Sequence, residues 1–104
     1  MVGDGTSASV QGSTSNTYID INGSLGYKTT PSMYTVDIFS YAGSTYKTCL
    51  FTQSADYNGT GNTTVGVGLW RSTSAINQIV LTSQNTTNKF ASGTIATLYG
   101  IKAA

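Results

Sequence analysis

The chain has 104 residues, enough for one domain around a single modest core. Hydrophobic residues at 38% and aromatics at 11% exclude a solvated, disordered polymer. Charged residues are only 9%, the formal net charge is +1, and Lys28, Lys47, Arg71, Lys89 and Lys102 are scattered, which excludes the clustered cations a nucleic-acid surface needs.

Residues 1–16 are rich in Gly, Ser and Thr, with Val2, Ala8 and Val10 as their apolar members. They cannot bury enough surface to fix themselves, so they read as a flexible N-terminal arm with one weak strand around residues 8–11, to be ordered by a partner. The first six residues lack the charged and apolar regions of a signal peptide. No apolar run approaches the roughly 20 residues that cross a bilayer. A soluble protein made in a cytoplasm, with no membrane partner, is the expectation.

Residues 17–104 read as the folded domain. Residues 18–22 alternate as a short strand closed by Asn22-Gly23, a tight-turn signal. Residues 26–32 form a loop that holds the only proline, Pro31. Residues 34–41 are a clear strand, with Tyr34, Val36 and Ile38 on one face and Thr35, Asp37, Phe39 and Tyr41 on the other. Residues 42–45 turn the chain into a hairpin partner at 47–53, with Cys49 and Phe51 inward and Thr48 and Thr52 outward. The polar stretch 55–62 reads as a wide loop.

Residues 64–71 form a strand with Val65, Val67 and Leu69 on one face and Gly66, Gly68 and Trp70 on the other. Glycine inside a strand marks a bulge or a close approach, so a large ring such as Trp70 or a tyrosine of a neighbouring strand is expected to lie across Gly66 and Gly68. Two further strands follow at 76–83 and 94–101, joined through a polar turn at 84–89. Strands spaced in this way, without helical periodicity, predict an all-β fold of six to eight strands: a single antiparallel β-sandwich, jelly-roll-like.

Little in the sequence points to chemistry. Histidine is absent, so a Ser–His pair has no base, and one cysteine with no histidine makes no zinc site. Cys49 sits in an apolar strand pattern and reads as a buried, unreactive thiol. The acids are Asp4, Asp20, Asp37 and Asp56, which read as exposed strand or turn residues rather than facing catalytic carboxyls. The oxygen-rich spacing Asp56-x-Asn58-x-x-x-Asn62 offers one carboxylate with amides, a weak calcium set. No enzyme activity, cofactor or metal is expected. The tyrosines and Trp70 are the remaining candidates, as core and interface residues or as a carbohydrate platform. Tyr27, Tyr46 and Tyr57 fall in loops or at strand ends. With Val2 and Val10 of the arm, they are the candidate interface residues.

The pieces Tyr46-Lys47-Thr48, residues 68–74 (Gly-Leu-Trp-Arg-Ser-Thr-Ser), residues 75–81 (Ala-Ile-Asn-Gln-Ile-Val-Leu) and residues 90–101, which end in Thr97-Leu98-Tyr99-Gly100-Ile101, resemble the recurring C-terminal module of tailed-phage virion proteins. The resemblance covers the chain from about residue 40 onward. It implies a non-enzymatic structural protein. In a small stand-alone β-domain it implies a capsid decoration (cement) protein on the head exterior of the virion, partnered by the major capsid protein and by other copies of itself, with a trimer allowed. The alternative it leaves open is a tail-fibre or adhesion module that binds a host-surface glycan.

Overall fold

The computed structural model describes residues 1–3, 8–9, 17–19, 21, 31–82 and 90–102. Among these the protein is all-β. Strands β1 (Val2–Gly3), β2 (Ala8–Ser9), β3 (Ser32–Phe39), β4 (Lys47–Asp56) and β5 (Gly61–Trp70) form one antiparallel sheet in the order β2-β1-β5-β4-β3. Three long strands carry the fold, and β4 is central. It pairs with β3 from Ser32↔Ala55 to Phe39↔Thr48, and with β5 from Lys47↔Trp70 to Asp56↔Gly61.

The period-2 pattern of β4 explains its place. Lys47, Cys49, Phe51, Gln53 and Ala55 are buried, while every residue between them is exposed. Successive side chains of a strand point to opposite faces, so the sheet has one covered face and one open face. The register puts Tyr34, Val36 and Ile38 of β3 and Asn62, Thr64, Gly66, Gly68 and Trp70 of β5 on the covered face.

The close approach expected at the glycines is present, made by other side chains. A Cβ at Gly66 would stand 2.1 Å from Cζ of Phe51, and one at Gly68 would stand 2.7 Å from both Cys49 Sγ and Ile19 Cγ2. Neither Trp70 nor a tyrosine fills this role: the Phe51 ring from the neighbouring strand lies over Gly66. Trp70 sits at the end of β5 opposite Lys47 and stays partly open.

Several expectations are corrected. Residues 55–62 are not a wide loop. Strand β4 runs to Asp56, β5 starts at Gly61, and Tyr57 N donates to Thr60 O at 2.8 Å. Asn58 and Gly59 at the tip have φ of 57° and 108°, the two positive values a type I′ hairpin turn requires. Of the strand expected at 18–22, Tyr18, Ile19 and Ile21 are in no strand, and Asp20 and Asn22 lie outside the described residues. No strand forms at 76–82 or 94–101. Alternation gives a segment the capacity to pair without supplying a partner: β5 already has β4 on one side and β1 on the other, and the free side of β3 is left unpaired among the described residues. The turn expected at 84–89 lies outside the described residues.

Of the segment expected as an arm, Val2–Gly3 and Ala8–Ser9 are strands. Val2 pairs with Ser9 and with Thr64, and Gly3 with Ala8 and with Thr63. The Met1 amino group donates to Val65 O at 2.6 Å, and Val65 N donates to Met1 O at 2.9 Å. The rest of 1–16 lies outside the described residues.

The glycine contacts are testable by denaturation. Gly66→Ala pushes a methyl into the Phe51 ring and should cost about 1–3 kcal/mol, the range for overpacked cores. Gly100→Ala is the control: nothing lies within 4 Å of a Cβ there, and its urea midpoint should move little.

Candidate functional site

The covered face is unusually polar. Lys47 is only 1% exposed, although the sequence places it among scattered surface charges. Its ammonium turns back into the β3–β4 connection and donates to Gly43 O and Thr45 O, both at 2.6 Å, and to Ser72 O at 3.2 Å. Three donors meet three carbonyls, so the charge is satisfied without a carboxylate. The contact to Ser72 ties the exit of β5 to the β3–β4 hairpin. A second tie follows, with Ile76 N donating to Tyr41 O at 2.8 Å.

Gln53, a further two positions past Phe51 on the same face, is 2% exposed. Among the described residues its Oε1 and Nε2 make no hydrogen bond, and neither does the buried hydroxyl of its cross-strand partner Tyr34. Burial pushes the Tyr34 phenol up to about 12, with a smaller contribution from Tyr57. Thr64, also buried, donates to Asn62 Oδ1 at 2.9 Å. Cys49 is 2% exposed, and burial pushes its thiol up, offset in part by a hydrogen bond with the Gly68 backbone. The buried thiol expected from the sequence is therefore found.

The oxygens of the suspected calcium spacing serve the hairpin. Asp56 Oδ1 accepts from Asn58 N at 2.9 Å, closing an Asx turn, and Asn62 Oδ1 accepts from Thr64. Among the described residues no three His, Cys, Asp or Glu side chains come together.

The open face is the opposite in character. It presents Met33 and Phe39 from β3, Leu50 from β4, and Val65, Val67 and Leu69 from β5, all exposed. Leu50 lies directly across from Val67, while Thr48 faces Leu69 and Thr52 faces Val65. The Thr35 and Thr52 hydroxyls bond to one another on this exposed face. Val67, at its centre, is 80% exposed. Asp37, across from Leu50, shares this face with Thr35, Thr48, Thr52, Ser54 and Thr63, so its apolar side chains stand exposed among polar ones; a sheet face with this many exposed apolar groups is the strongest candidate functional surface among the described residues. The alternation was legible in the sequence, but the direction in which Val65, Val67 and Leu69 point was not.

The candidate interface residues do not converge. Tyr46 is exposed just before β4, and Tyr57 is half-buried at the other end of that strand, beside Tyr34. Val2 is placed by its backbone pairing in β1. Val10 and Tyr27 lie outside the described residues. No protein-family model, curated protein or solved structure matches the chain.

Two substitutions test the covered face. Lys47→Met leaves three carbonyls without their donor and should lower stability by about 1–3 kcal/mol, with Lys102→Met near neutral. Tyr34→Phe removes a buried hydroxyl that has no partner among the described residues and should be neutral or stabilising near neutral pH. The phenol's folded pKa lies above its unfolded 10.0, so the native state holds the proton more tightly and stability falls as pH rises from about 10 to about 12. Tyr34→Phe should flatten that alkaline decline, read from urea midpoints across the range.

Proposed function

We propose that this chain is a non-enzymatic structural protein of a tailed-phage virion, a decoration (cement) protein seated on the outside of the head. The observation that carries the reading is the open apolar face of β3, β4 and β5. A sheet with one covered and one bare apolar face is half of a layered architecture, and the missing layer has to come from packing. In this reading the sheet is one layer of a jelly-roll-like sandwich. Support also comes from the resemblance of residues 68–74, 75–81 and 90–101 to the ending of phage virion proteins.

Attachment to the major capsid protein fits the free side of β3, which pairs only with β4 among the described residues. An exposed edge strand can add to a neighbour's sheet through backbone hydrogen bonds. Tyr46 lies exposed in the β3–β4 connection, at the end of that hairpin. The low charge suits docking by shape and backbone pairing, with attachment that depends weakly on salt.

The test is to locate the protein on particles by labelled antibody and electron microscopy, and to wash the particles in high salt. Many copies spread over the head and retained in high salt are expected. Copies confined to the tail tip would replace decoration with the adhesion reading, in which the exposed tyrosines meet a host glycan. Absence from particles would remove the virion reading altogether.

A further inference from the structure

The chain carries a second apolar surplus besides the open face. Residues 90–102 are exposed throughout, with Ile95 at 87%, Leu98 at 79%, Tyr99 at 83% and Ile101 at 86%. Ile79, Val80 and Leu81 are exposed as well. Both stretches have the period-2 alternation of strands and neither belongs to one. The exit of β5 is pinned as far as Ile76 by the Ser72 and Ile76 hydrogen bonds, and beyond that point the described residues 77–82 and 90–102 are all exposed.

One chain thus holds an apolar sheet face without a cover and an apolar, strand-patterned segment without a sheet. A net charge of +1 puts little repulsion between copies.

We infer that the open face is covered by two C-terminal stretches of a second copy, residues 76–82 and 94–101, exchanged between subunits. Residues 76–82 and 94–101 of one subunit then supply the second layer over Leu50, Val65, Val67 and Leu69 of another. Exchange of an identical element satisfies both surpluses at once and, when reciprocal, closes the assembly. The inference rests on the reading of the open face as a packing surface, not on the location of the protein in a virion.

The test uses the full chain. Analytical ultracentrifugation should give an assembly of at least two subunits. Val67→Asp alters the face where it is most open, and Leu98→Asp with Ile101→Asp alters the segment. Each should weaken association at least tenfold while leaving the strand signal in circular dichroism unchanged. Two differently tagged chains, one with Val67→Cys and one with Leu98→Cys, should link to each other on mild oxidation after refolding together. A monomeric intact chain overturns the inference. If Val67→Asp weakens association and the segment variant does not, or if only Val67→Cys chains link to one another, the face is a packing surface but the exchange is wrong. If neither variant changes the assembly, both readings of the face fall.

Discussion

The fold depends on the contact between the Phe51 ring and the bare backbone of β5. A ring lying over Gly66, with Cys49 and Ile19 over Gly68, needs the space that any side chain at those positions would fill. This fixes which way β5 faces. Its inward positions hold Asn62, Thr64, Gly66, Gly68 and Trp70, so its aliphatic residues Val65, Val67 and Leu69 have to point outward. The apolar open face is therefore a consequence of the glycine contacts. A strand with large apolar groups on both sides would have packed either way. This one is held in a single orientation, since a one-residue slip would put Val65, Val67 and Leu69 into the Phe51 ring and the Cys49 thiol.

The covered face is correspondingly thin. Phe51, Cys49 and Ala55 are its buried hydrophobes, and Lys47, Gln53 and Thr64 are buried beside them. Fully burying a large aliphatic or aromatic side chain contributes about 1.5–3 kcal/mol. Among the described residues these few give the layer a limited apolar contribution, while Leu50, Val65, Val67 and Leu69 face the other side. Lys47 compensates locally. Its ammonium replaces a small core at the hairpin end with hydrogen bonds to the β3–β4 connection and to the exit of β5, at the cost of removing a charge from water.

The long strands were legible because their side chains alternate and one face of β4 is buried at every second position. The cross-strand pair of Cys49 with Gly68 follows from the same alternation. The 55–62 hairpin was misread because five polar or glycine positions in a row, residues 58–62, look like a loop. The two-residue Asn58-Gly59 signal that shortens it was present, with strand residues on both sides. The burial of Lys47 had no local signature: its partners are carbonyls 2, 4 and 25 residues away, and backbone acceptors leave no trace in side-chain pattern. The C-terminal strands failed for a different reason. Periodicity reports that a segment is able to pair, and nothing about whether it does: the free side of β3 stays unpaired among the described residues while these segments lie outside the sheet.

That last distinction ties the parts together. In a self-sufficient sandwich, the second layer comes from the same chain and the strand-patterned segments disappear into it. Here the layer and the segments exist side by side, both exposed, with the crossing point between them anchored by Lys47 and by the Ile76–Tyr41 bond. The anchor matters because it fixes where residue 76 leaves the sheet, at the β3–β4 hairpin end, whatever the segment later covers. A segment leaving from a fixed point reaches a neighbour with defined geometry, whereas one leaving from a frayed strand end would not. The polar interaction inside the covered face thereby sets the direction in which the apolar remainder of the chain is presented.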